Sequence, residues 1–128
     1  MALSNAGLRG GHMARTDHLE WLDELPYSVT VCDREYVILY MNDESATMNK
    51  RDGGRALIGT NLMDCHSPAS RKKLRRIMAS GKPNIYTTEK KGVRKFVCQS
   101  QWKRRGRVGG LVEIVVRLPK EVPNFVRT

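Results

Sequence analysis

Ser28-Val29-Thr30-Val31-Cys32-Asp33-Arg34-Glu35-Tyr36-Val37-Ile38-Leu39-Tyr40-Met41-Asn42 is the stretch from which the fold can be read. Two runs rich in β-branched and apolar residues, Ser28 to Asp33 and Tyr36 to Met41, flank the polar trio Asp33-Arg34-Glu35. Such a pattern predicts two short strands joined by a tight turn. Asn42 and Asp43 can cap a short helix running through Ser45, Ala46 and Met48, which the Asp52-Gly53-Gly54 breaker ends. Upstream, Leu19, Trp21, Leu22 and Leu25 predict an amphipathic helix from Asp17 to Glu24, with Asp17 and Glu20 as a capping pair and Pro26 as its stop.

Downstream, Leu57, Ile58 and Leu62 flank Gly59 in a connecting segment that leads to Asp64-Cys65-His66-Ser67-Pro68. Ser67 can cap a helix with Pro68 at its first position. That helix, Pro68 to Ser80, offers Leu74, Ile77 and Met78 inward and Arg71, Lys72, Lys73, Arg75 and Arg76 outward, until Gly81 ends it. Three strand-like segments close the chain: Asn84 to Lys90, Val93 to Lys103 and Gly109 to Leu118. Their hairpin turns are Lys91-Gly92 and the basic loop Arg104-Arg105-Gly106-Arg107. Phe96, Cys98, Ser100 and Trp102 share one face of the middle strand. Val112, Ile114, Val116 and Leu118 alternate with Glu113 and Arg117 in the last. The order defines an α+β arrangement, a five-stranded antiparallel sheet with short helices covering one face and a cavity between the layers.

The chain has 128 residues, enough for one domain with one modest core. Its longest apolar run, Val37 to Met41, is far short of the roughly 20 residues a membrane-spanning helix requires. The three cysteines, Cys32, Cys65 and Cys98, form no Cys-x-x-Cys pair, so neither a disulfide framework nor a structural zinc site fits. Without a charged-then-apolar leader, a cytoplasmic location with reduced thiols is expected. Residues 1–15 read as a leader, disordered or left over from cloning, residues 16–118 as the domain and residues 119–128 as a tail. The net charge of +10 is unevenly spread. Residues 71–107 carry 14 basic side chains against one acidic, Glu89, an asymmetry that suits either an acidic partner or a solvated face.

In order and spacing the chain resembles the PAS domain family. The likeness rests on Leu25-Pro26-Tyr27-Ser28-Val29 entering the first strand, on Val37-Ile38-Leu39-Tyr40-Met41-Asn42 with an acidic helix start behind it, on Leu57-Ile58-Gly59, and on the final hairpin strands. It covers residues 16–118 or so. The Gly-Tyr pair that many members carry after the first short helix is replaced by Asn49-Lys50-Arg51-Asp52-Gly53-Gly54. The resemblance implies a sensor and dimerisation module of a signal-transduction or transcription-regulatory protein, working as a homodimer or with an output domain or partner protein. It also implies a pocket for a small ligand or cofactor. Flavin photosensors of the family carry Gly-x-Asn-Cys; the matching run here is Gly59-Thr60-Asn61-Leu62, and Leu62 has no thiol. Haem-binding members place a His in the long helix, whereas Ser70 to Ala79 holds none, which leaves His66 and Cys65 as candidate axial ligands.

The expected lining combines Val29, Val31, Ile38, Tyr40, Leu57, Leu62, Leu74, Met78, Phe96, Cys98, Ser100 and Trp102 with Cys65 and His66. Leu19, Trp21, Leu22 and Leu25, together with the sheet's outer face, are the expected dimer surface. His12 and His18 form no metal cluster with His66 on this spacing. No enzyme is expected: Gly53-Gly54 and Gly109-Gly110 lack the residues of a phosphate-binding loop, there is no Gly-x-Ser-x-Gly elbow, and Cys65 and His66 are sequence neighbours whose candidate third group, Asp64, is the adjoining residue, while three consecutive residues rarely point the same way. The competing reading is a basic nucleic-acid-binding domain, using Arg71, Lys72, Lys73, Arg75 and Arg76 with the 103–107 loop. Against it, the basic segments lack interleaved exposed aromatics on which bases could stack.

Overall fold

The computed structural model describes residues 19–128. The leader, Asp17 with its proposed cap, His12 and His18 lie outside the described residues. Helix α1 (Glu20–Asp23) leads into strand β1 (Ser28–Asp33), strand β2 (Ile38–Met41) and helix α2 (Asp43–Met48). Three 3-10 turns follow, at Lys50–Asp52, Gly54–Leu57 and Leu62–Cys65. Helix α3 (Pro68–Ser80) then precedes strands β3 (Asn84–Lys90), β4 (Val93–Arg104) and β5 (Arg107–Arg117). The strands form one five-stranded antiparallel sheet in the order β2-β1-β5-β4-β3, so the last strand inserts beside the first.

Local chemistry accounts for the boundaries. Asp33 Oδ1 accepts from the amides of Glu35 and Val37, at 2.8 and 3.0 Å, and this side-chain turn puts Tyr36 at φ 67°. Strand β2 therefore starts at Ile38 rather than at Tyr36, as the apolar run suggested. Val37 instead bridges Asn61, and the Gly59–Leu62 segment hydrogen-bonds along this edge through Ile38 N to Thr60 O and Gly59 N to Ile38 O. Edge amides that would invite another strand are thus covered. Helix α3 occupies the span the sequence predicted. Ser67 Oγ accepts from Ser70 N, Pro68 sits in the first turn, and Gly81 closes it at φ 76°.

The Lys91-Gly92 turn is as expected, and the second late hairpin is tighter than expected. Lys91-Gly92 and Arg105-Gly106 both take positive φ at both turn positions, the geometry whose twist matches the strands it joins. The basic loop of residues 104–107 is accordingly a two-residue turn, with Arg104 and Arg107 paired across the ladder.

The core lies between the sheet and the helices. Cys32, Met63, Leu74, Ile77 and Leu111 form its buried centre, with Tyr36, Leu62 and Met78 packed around it. In β4 the inward residues are Val97, Gln99 and Gln101, and in β5 they are Leu111, Glu113 and Val115, paired as Val97↔Val115, Gln99↔Glu113 and Gln101↔Leu111. Phe96, Cys98, Ser100 and Trp102 occupy the opposite face, away from the helices. The more apolar face of β4 thus points away from the core. Apolar alternation fixes that a strand is two-faced but not which face the helices cover.

Candidate functional site

A cavity of about 140 Å³ lies between the inner face of the sheet and the helical layer. Cys32, Ile38, Leu57, Leu62, Leu74 and Leu111 give it an apolar interior. This is close to the volume of a buried apolar cavity that takes up a single benzene ring. It adjoins a wider, more polar chamber of about 460 Å³ framed by Ser70, Lys73, Asn84 and Tyr86, and the two share His66, Leu74, Gln99 and Glu113.

Polar groups on these walls are held by short hydrogen bonds. Asn84 Nδ2 donates to Gln99 Oε1 at 2.9 Å, and Gln99 Nε2 donates to Glu113 Oε2 at 2.8 Å. His66 Nδ1 lies 2.6 Å from the carbonyl oxygen of Leu62. A carbonyl only accepts, so Nδ1 carries the hydrogen. Arg71 Nε donates to the carbonyl of His66 at 3.0 Å and fixes that backbone from α3. On the opposite wall Asn49 Nδ2 donates to Ser45 O at 2.9 Å, and Thr30 Oγ1 bonds to Ser45 Oγ. Burial, and then the charge of Glu113, raises the Tyr86 phenol above its ordinary range. Burial likewise pushes the Cys32 thiol up to about 11, with a smaller push from Asp33, against a backbone hydrogen bond with Leu111.

Of the residues expected to line the pocket, Ile38, Leu57, Leu62, Leu74, Cys65 and His66 meet at the cavity. The others lie elsewhere. Tyr40 donates from its hydroxyl to Asp23 Oδ1 at 2.6 Å and ties β2 to α1. Met78 packs against the core cluster, and Val29 is buried but off the cavity wall. Phe96, Cys98 and Ser100 stand on the outer face with Val31. Trp102 has a structural task there: its Nε1 donates to Cys32 O at 2.8 Å. A side chain on Gly109 would collide with the indole ring, and one on Gly110 with the carbonyl of Cys32. The Gly109-Gly110 pair therefore lets the Trp102 ring cross β5 and reach β1.

Gln99, Glu113, Asn84, Asn49 and Asp52 escaped the sequence reading. One signal for Gln99 was present: the β4 face opposite Phe96 holds amides at Gln99 and Gln101 where a solvated face would carry charges. Among the expected partner contacts, Trp21 is 62% and Leu19 40% exposed, while Leu22 is half-buried and its carbonyl accepts from Asn42 Nδ2. Lys72, Lys73, Arg75 and Arg76 are exposed on α3, but Arg71 is half-buried and engaged with His66.

A haem was the cofactor that His66 and Cys65 suggested. The cavity around them has room for one ring, not a porphyrin, and its continuation is walled by Lys73, Asn84, Gln99 and Glu113 rather than by apolar side chains. These residues do not fit the group. Among the described residues, no cluster of three or more His, Cys, Asp or Glu side chains could hold a metal ion, and no helix is long and apolar enough to cross a membrane.

No family model and no curated protein matches the chain. Solved structures do. The PAS domain of a protein from Colwellia psychrerythraea superposes with a TM-score of 0.60 at 13% identity, over 84% of this chain and 99% of that one. A sensory box sensor histidine kinase from Vibrio cholerae gives 0.54 at 18% identity, over 85% and 97%. The VqmA protein of Vibrio cholera, solved as a ligand and DNA complex, gives 0.62 at 12% identity, over 80% of this chain but only 51% of that one. The fold is PAS-like: a five-stranded antiparallel sheet with a few short helices.

Proposed function

We propose that this chain is a PAS-type sensor and protein-interaction module that binds a small ligand inside the fold and couples it to a partner through the sheet. The observation that carries the reading is the single-ring cavity between the sheet and the helical layer, walled by both. A molecule seated there touches β1, β5 and α3 together, so its arrival can change their packing without any chemical turnover.

The outer sheet face supplies the interaction surface in this reading. Ile85, Cys98 and Ile114 stand in register across β3, β4 and β5, and Ile85 and Ile114 are 55% and 38% exposed. Phe96 and the strongly exposed Trp21 add to the apolar surface, whose occupant is proposed to be a second copy of the chain. The neighbours, a sensory box sensor histidine kinase and VqmA in its ligand and DNA complex, support the sensor reading at the level of fold.

The test is a thermal-shift screen of one-ring compounds, with hits repeated on Leu74→Phe, which fills the cavity from α3. Hits lost in a folded Leu74→Phe variant support the reading. Hits that bind the filled variant equally well, or no hit at all, would overturn it.

A further inference from the structure

Four polar side chains on the cavity walls, Glu113, His66, Asn49 and Asp52, share a hydrogen-bonding sign. An ionised Glu113 carboxylate accepts and cannot donate, so Gln99 must turn its NH₂ toward it. That leaves Gln99 Oε1 to face Asn84, which must present its own NH₂. The direction of the Asn84–Gln99–Glu113 chain is therefore imposed by Glu113, whichever way the amides are drawn. Its terminus is a carboxylate with one oxygen, Oε1, that takes no hydrogen bond from the described residues.

His66 gives the same answer. With Nδ1–H held by the carbonyl of Leu62, the neutral ring keeps Nε2 as an acceptor. Across the cavity, Asn49 spends its NH₂ on the carbonyl of Ser45, which leaves its Oδ1, and Asp52 is a carboxylate beside it. Lys73 is the one cationic donor on these walls, and it belongs to the outer chamber rather than to the apolar cavity. A hydroxyl ligand would bring lone pairs that find few donors here, whereas an ammonium only donates.

We propose that the ligand is a small apolar amine, of one-ring size, whose ammonium group is received by Glu113 with His66 while its hydrocarbon body fills the space among Ile38, Leu57, Leu62 and Leu74. This deepens the sensor reading above and rests on it. The probes are benzylamine, anisole, which is of similar size and only accepts, and toluene, which does neither. Each is titrated into the 128-residue chain and into Glu113→Gln by calorimetry at neutral pH. Gln at residue 113 can still accept from Gln99, and it then points an NH₂ into the cavity.

Benzylamine is expected to bind most tightly to the natural chain and at least tenfold more weakly to Glu113→Gln, while anisole gains affinity for the variant. If anisole or toluene binds the natural chain as tightly as benzylamine, or if benzylamine ignores the substitution, the amine assignment fails and the sensor reading survives. If none of the probes binds either protein, the amine assignment falls. The broader one-ring screen with Leu74→Phe then decides the sensor reading independently.

Discussion

Asn42 is fully buried and uses its whole amide. Its Oδ1 accepts from the backbone N–H of both Val29 and Ser45 at 3.0 Å, and its Nδ2 donates to the carbonyls of Leu22 and Tyr27 at 3.1 and 2.7 Å. One side chain caps α2 and joins it to β1 and to the segment before it. Asn42→Ala would leave four backbone groups short of partners, and denaturant unfolding is expected to record a loss of about 2–4 kcal/mol. Cys32 yields a pH prediction. Its thiol ionises at its ordinary 9.0 in the unfolded chain but at about 11 when folded, so folding favours the neutral form. The stability this contributes is complete below pH 9 and is lost as pH rises from 9 toward 11. Cys32→Ala should flatten the alkaline fall in melting temperature over that range. An unchanged fall would assign it to other groups, Tyr40 among them, whose phenol burial and the Asp23 bond also raise.

Helix α3 illustrates how an element depends on a residue far along the chain. Gln101 on β4 donates from Nε2 to the carbonyls of Ile77 and Met78, at 3.2 and 2.8 Å, near the helix C-terminus. The Ile77 carbonyl also accepts from the Gly81 N–H at 2.9 Å, but last-turn carbonyls such as that of Met78 have no partner within their own helix, so this amide caps α3 from across the layer. Gln101→Leu is expected to cost about 1–2 kcal/mol in chemical denaturation and to raise hydrogen exchange at the end of α3 before it does so in β4. The span of α3 was legible because its signals are local: Ser67, Pro68 and Gly81. Strands β3 to β5 were legible for the same reason, through their hairpin turns. The cavity wall was only half legible. Ile38 and Leu74 follow from strand and helix periodicity, and Leu57 and Leu62 from the apolar residues around Gly59, but Gln99 and Glu113 depend on which face of β4 and β5 the helices cover. With apolar residues on both faces of these strands, that choice is made by tertiary packing.

At the scale of the molecule, the sheet presents apolar side chains on the face away from the helices. Ile114 stands near the middle of that face, on the inserted strand β5. If a second copy covers it, Ile114→Asp should lower the molar mass in sedimentation equilibrium toward that of a monomer, with little change in the melting curve at high dilution. A mass unaffected by the substitution would remove this face from the dimer. The excess positive charge lies elsewhere, on the exposed lysines and arginines of α3 and on the two late hairpin turns. If those residues bind nucleic acid, duplex or single-stranded oligonucleotides should be retained at low salt and released steeply as salt rises. No retention at low salt would exclude that use.

The indole that crosses β5 makes the protein its own optical instrument. Of the two tryptophans in the chain, Trp21 is largely exposed, whereas Trp102 is half-buried and bonded to the carbonyl of Cys32, a residue of the cavity wall. With Trp21 changed to Phe, the remaining emission comes from a fluorophore fastened to that wall. Its wavelength and quantum yield then read out the wall directly, with no label attached.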